Sequence, residues 1–228
     1  AMSMLAGLGH AAAQDSTTLN PVVVEGTGGE GEASATGPVR GYVAKVSATG
    51  SKSDTALRDI PQAVSVIGRD ELDDRGVVGK VDEALRYTSG VFAEPFGSDP
   101  DTDWIYIRGF DASQTGLFLD SLNLFSYSFG NFQVDPFFLE RVEVLKGPAS
   151  VLYGAANPGG LVNMVGKRPL EEKLVYSEIG VNNYGNAFAG FDVNTPLGSG
   201  VNFRLTGKLA GGDQTTDYSE DLRGGIMP

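Results

Sequence analysis

The chain has 228 residues, no cysteine and a single histidine, His10. Disulfides and thiolate chemistry are thereby excluded, and imidazole chemistry goes with them once the leader described next is removed. The balance of 17 basic against 29 acidic residues, a net charge of -12, speaks against nucleic acid as a partner. Glycine, at 32 residues, is about twice the ordinary share, and 41% hydrophobic content argues for a folded, turn-rich, strand-rich chain.

Residues 1–13 read as the remnant of a cleaved signal peptide, with Ala11 and Ala13 at the small-residue spacing of a cut after Ala13. The alternative is an irregular terminus without the role of an address. No apolar run is long enough for a membrane helix. Next comes Leu19-Asn20-Pro21-Val22-Val23-Val24-Glu25-Gly26, whose valines after a proline favour extended backbone. This segment is either a free strand available to a partner's sheet edge or the first strand of the following domain. The Gly, Ser, Thr and Glu content that follows makes residues 14–51 a strand on a flexible linker.

Residues 52–168 form an α+β domain by their pattern of short strands and short helices. Strands are expected at 63–67, 105–107, 117–119 and 161–165, and a helical turn at 150–153. The apolar stripe Val77, Val78, Val81, Ala84, Leu85 predicts an amphipathic helix over 77–87. Residues 139–145 read as helix or strand, with Val142 and Val144 alternating around Glu143. Asp99, Asp101 and Asp103 read as a solvated loop. They lack the central glycine and terminal glutamate of a calcium loop.

In residues 169–228 the pattern changes to period two. Val201, Phe203, Leu205, Gly207 and Leu209 share one face, and Asn202, Arg204, Thr206 and Lys208 the other. Residues 187–193 alternate likewise, 194–200 read as the turn between them, and further strands are expected near 173–181 and 218–228. Alternation alone leaves open whether the apolar face meets lipid or a protein core.

The run Leu139-Glu140-Arg141-Val142-Glu143-Val144-Leu145-Lys146-Gly147-Pro148 continues through Val151-Leu152-Tyr153-Gly154 to Asn157-Pro158-Gly159-Gly160 and Lys167-Arg168-Pro169. With Ile107-Arg108-Gly109-Phe110 and Asp59-Ile60-Pro61-Gln62, it closely resembles the plug domain of TonB-dependent outer-membrane receptors, the ferrichrome-type siderophore receptors above all. The resemblance implies an α+β plug followed by the first antiparallel strands of a transmembrane β-barrel. Such barrels in large plugged transporters have about 22 strands, so the chain is expected to be the N-terminal part of a longer protein.

The resemblance further implies a non-enzymatic receptor in the outer membrane of a Gram-negative cell. It would admit a ferric siderophore as cargo, hold no cofactor on its own side chains, and draw work from TonB and its inner-membrane partners. The TonB contact would fall on Leu19, Asn20, Pro21, Val22, Val23, Val24 and Glu25. Ligand contacts would fall on Gln114, on Phe129 with Tyr127 beside it, and on Phe96, in three loops at 92–104, 111–116 and 125–132. Their aromatics suit an amphipathic chelate, or else pack on a barrel wall. Arg108 and Lys146 would pair with barrel glutamates, or else with the local Glu140 or Glu143. Competing readings are a secreted plug-derived binding module and a receptor for another metal chelate.

Overall fold

The computed structural model describes residues 34–99, 101–127, 130–213 and 218–228. The leader, the valine segment at 19–25 and Phe129 lie outside them. In chain order the elements are β1 (Val46–Ser47), β2 (Thr55–Ala56), β3 (Ala63–Gly68), α1 (Arg69–Asp74), α2 (Val81–Ala84), β4 (Val91–Ala93), β5 (Ile105–Ile107), β6 (Phe110–Asp111), β7 (Leu117–Leu119) and β8 (Leu122–Asn123). Then follow β9 (Leu139–Lys146), α3 (Ser150–Tyr153), β10 (Gly160–Gly166), β11 (Leu174–Val181), β12 (Ala187–Gly198), β13 (Val201–Asp213) and β14 (Glu220–Met227).

Two assemblies result. The first is an α+β unit around a five-stranded mixed sheet of order β3-β9-β10-β7-β8, with β4-β5-β6 as a small second sheet. Ile67, Leu72, Val81, Leu85, Ile105, Ile107, Val142, Val144 and Met164 make its main core. The ambiguity at 139–145 resolves as strand. Every residue of β9 is buried, so its alternation separates two covered faces rather than a wet face from a dry one.

The second face of β9 explains a departure from the linker expected through residue 51. Arg141, fully buried, donates to the carbonyls of Ser34, Gly37 and Val46. Glu143 accepts from the hydroxyls of Ser47 and Thr49. Residues 34–50 are therefore a strap laid across β9, pinned further by the antiparallel β1–β2 pair. The small polar residues that read as a tether are those whose carbonyls and hydroxyls satisfy a buried ion pair.

The helix expected over 77–87 is also shorter, reduced to α2. Gly76 adopts a positive φ of 66° and Lys80 is extended at φ -137°. The carbonyls of Val78 and Gly79 are taken by Lys208 and Arg223, so they are unavailable to a helical turn. Asp103 is buried at 2% exposure, against the solvated loop expected.

The second assembly is the antiparallel sheet β11-β12-β13-β14. Strand β12 runs on to Gly198 through a register shift near Pro196, so the expected turn at 194–200 contracts to Ser199-Gly200, both at positive φ. This sheet is inverted relative to a water-soluble one. Asp192, Asn194, Arg204, Thr206 and Lys208 are buried against the α+β unit, while Val175, Ile179, Leu209, Leu222 and Ile226 point away from it and are exposed, Ile179 at 86%. Gly190 lets the ring of Phe137 approach; a methyl there would meet it at 2.9 Å. Strands of 12 and 13 residues reach about 40 Å, or about 30 Å when tilted by about 45°, the thickness of a hydrocarbon core. The alternative of an apolar face packed in a protein core required that face to be inside, and the polar face is inside instead.

Candidate functional site

Three loops leave the same end of the α+β unit, because each joins strand ends on that side. Residues 94–104 connect β4 to β5, 112–116 connect β6 to β7, and the segment from 124 follows β8, with the Leu124 N–H bonded to the Leu117 carbonyl. Two serines tie them together. Ser113 Oγ accepts from the Ile105 N–H at 3.0 Å, and Ser126 Oγ donates to the carbonyls of Ser113 at 3.2 Å and Gln114 at 3.0 Å.

On this scaffold Phe96 (69% exposed) and Tyr127 (80%) present bare rings. Gln114 is exposed between their loops. Phe125 and Phe132 are exposed beside Tyr127, which exchanges backbone hydrogen bonds with Gly130. Phe96 rests edge-on against Trp104 with ring centroids 5.0 Å apart, and Trp104 Nε1 donates to Asp99 Oδ2 at 2.8 Å. Three of the four expected ligand contacts thus sit on one linked group of loops; the fourth, Phe129, lies outside the described residues. Flat aromatic faces and an amide suit the organic shell of a chelate. Among the described residues no group of three or more His, Cys, Asp or Glu gathers as a metal site.

Arg108 and Lys146 come together elsewhere. Arg108 occupies a turn at φ 51° before Gly109, and its guanidinium lies beside Gly147, next to Lys146 in the chain. Lys146 Nζ donates to Ser65 Oγ at 2.8 Å and Ser89 Oγ at 3.0 Å. Burial and the neighbouring Arg108 charge lower its pKa. Neither cation meets a carboxylate among the described residues. The local alternative fails, since Glu140 is engaged by Arg204 and Glu143 by Arg141.

Among the described residues, Arg204–Glu140 and Lys208–Asp135 join the two assemblies the opposite way, from sheet cation to α+β acid, while Lys167–Asp192 runs from the α+β unit to the sheet. Arg204 on β13 donates to Asp192 at 2.9 and 2.7 Å, to Glu140 of β9 at 3.1 Å and to the Arg168 carbonyl at 2.9 Å. Lys167 meets Asp192 at 2.8 Å and lies over the Phe137 ring. Lys208 reaches Asp135 at 2.9 Å. The cations of this seam come largely from the sheet and its acids largely from the α+β unit. Alternation had already put Arg204, Lys208 and Asp192 on the polar face; the missing signal was which acids across the fold they would meet.

Comparison with known proteins agrees with this architecture. Residues 56–161 match the family described as TonB-dependent Receptor Plug Domain. The ferrioxamine receptor of Yersinia enterocolitica is 38% identical over 194 residues, 84% of this chain and 27% of that protein. The ferrichrome outer membrane transporter/phage receptor of Escherichia coli K12 is 38% identical over 200 residues, 86% of this chain and 26% of that protein. The pyoverdine outer membrane receptor FpvA of Pseudomonas aeruginosa PAO1, solved bound to pyoverdine, superposes with a TM-score of 0.70 at 28% identity, covering 78% of this chain and 26% of that one. The chain thus spans about a quarter of the length of the relatives it matches. It carries the plug domain of the TonB-dependent siderophore receptors, followed by four strands of a sheet whose apolar face points outward.

Proposed function

We propose that this chain is the gate and part of the external ligand site of an outer-membrane receptor that takes up a ferric siderophore with energy from TonB. The observation that carries the reading is the pairing of an inverted sheet, polar toward the plug and apolar outward, with a group of loops offering exposed aromatics at one end of the plug. The apolar face suits lipid, and the loops suit a chelate held by rings and amides rather than by protein ligands to iron.

The siderophore is a hydroxamate of the ferrichrome kind in this reading. Relatives named for ferrioxamine and ferrichrome are 35% to 38% identical, one named for metal-pseudopaline is 35% identical, and those named for pyoverdine and catecholate siderophores are 31% and 29%. Phe96, Gln114, Tyr127 and Phe129 contact it. Residues 19–25 pair with TonB after export and removal of residues 1–13. Arg108 and Lys146, two adjacent cations with no carboxylate among the described residues, meet acids of the barrel wall.

The test is equilibrium binding to the full-length gene product in detergent. Saturable binding of ferric ferrichrome or ferrioxamine, in preference to the iron-free chelators, is expected. Failure to bind either, with binding of a ferric catecholate instead, would overturn the hydroxamate assignment; no binding of any ferric chelate would overturn the reading as a whole.

A further inference from the structure

Beneath the loop that carries Phe96 and Trp104 lies a buried charge cluster separate from the ligand contacts named above. Lys80, Asp82 and Asp103 are 4%, 0% and 2% exposed. Lys80 Nζ sits in a cage of oxygens: Asp82 Oδ2 at 3.1 Å, Asp103 Oδ1 at 3.8 Å, the Thr102 carbonyl at 2.6 Å and the Asp99 carbonyl. Two of these oxygens are loop carbonyls, so the ammonium is the internal cation that gathers Asp99, Thr102 and Asp103 of the loop.

The charges do not balance if both acids are ionised. Two buried carboxylates would face one ammonium, and apart from that ammonium Asp82 Oδ1, Asp82 Oδ2 and Asp103 Oδ1 have no hydrogen-bond donor among the described residues. Buried acceptors without donors are rare in folded proteins, and a proton held between the two acids supplies the missing donor. The other charges around the cluster do not relieve it. Glu94 and Glu83 add negative potential, and the Arg86 guanidinium is committed to Glu94, with Nη2 to Oε1 at 2.7 Å.

We propose that Lys80 is a positioning residue for the loop carrying Phe96 and Trp104, and that one proton shared by Asp82 and Asp103 completes its cage, so that the loop is held in its ligand-presenting form only while that proton is bound. The presentation of Phe96 to a ligand rests on the function proposed above; the lock itself does not. Burial, and then the charge of Asp103, push Asp82 up to about 7, and burial raises Asp103 as well. Folding therefore strengthens proton binding. The stability the protonated pair confers is complete at acid pH and declines as pH rises from the ordinary carboxylate range toward about 7. Above that the cage carries an excess negative charge and the loop loosens.

The sequence provides a probe, because Trp104 is the only tryptophan in the 228 residues and adjoins Asp103. Acrylamide quenching of Trp104 in the 228-residue chain, followed from mildly acid to mildly alkaline pH, should show a one-proton transition near neutrality, with greater quencher access on the alkaline side. Asp82→Asn should abolish the transition, and Asp103→Asn should do the same if the first variant does not fold. Lys80→Met should move its midpoint up by about one to three pH units, because the neighbouring positive charge that favours ionisation is gone. A merely structural lysine would not shift a midpoint. A flat profile, or a transition that persists in both Asn variants, overturns the proposal. No ligand enters the measurement, so a receptor that binds no ferric chelate would overturn the function proposed above and leave this test intact.

Discussion

Replacing Arg204 by methionine removes the guanidinium at the centre of the seam while keeping most of the side-chain volume. Arg204 is 5% exposed and donates to Asp192, Glu140 and the Arg168 carbonyl. The two acids it leaves behind fare differently. Asp192 keeps Lys167 at 2.8 Å and the Thr206 hydroxyl at 3.1 Å. Glu140, 3% exposed, pairs with no cation other than Arg204 among the described residues. Removing one partner of a buried ion pair costs about 3–5 kcal/mol. Because Asp192 remains compensated, the lower end applies, about 3 kcal/mol or roughly a 100-fold change in the folding equilibrium. Urea unfolding in detergent, read by Trp104 fluorescence, measures this. Adding Glu140→Gln to Arg204→Met should recover part of the loss, since the stranded charge is then gone. A single variant within about 0.5 kcal/mol of the parent, or a double variant no more stable than the single, would refute the idea that this seam fastens the sheet to the plug.

Other positions separate the remaining roles. Arg141→Met should release the strap, making residues 34–50 sensitive to limited proteolysis while the five-stranded sheet persists; a protected strap in that variant contradicts the latch. Leu209→Arg places a charge on the outward face and should cost up to about 2–4 kcal/mol of stability in bilayers, read from unfolding in liposomes, and an unperturbed variant would argue against a lipid-facing strand. Tyr127→Ala, at an 80% exposed ring, should leave the unfolding midpoint unchanged and weaken ferric siderophore binding about 2- to 10-fold, with unchanged affinity speaking against that loop as a ligand contact.

What could be read from the sequence follows the range of the forces involved. The strands of the outward sheet were legible because period two is local: Val201 through Lys208 declare their faces within eight residues, and the structure keeps those faces. The strap was not legible. Ser34, Gly37, Ser47 and Thr49 have the composition of a tether, and only the long-range partners Arg141 and Glu143 make them structural. The helix over 77–87 was over-read for a similar reason. Its apolar stripe is real, and Val77, Val81, Ala84 and Leu85 are buried, but Val78 and Gly79 give their carbonyls to cations on the distant β13 and β14. At the candidate site, composition pointed to the aromatic loops. The hydroxyl links through Ser113 and Ser126 that hold them together depend on side-chain geometry that no spacing rule encodes. Asp103 misled because a run of alternating aspartates usually faces water, and here Lys80 turns one of them inward.

The most direct test of the account is radioiron uptake by a receptor-deficient Gram-negative strain expressing the full-length gene product, supplied with iron-loaded ferrichrome in the presence and absence of TonB. The account predicts accumulation of iron that requires both the receptor and TonB. Uptake that persists without TonB, or no uptake from ferrichrome while the protein is present in the outer membrane, would contradict it.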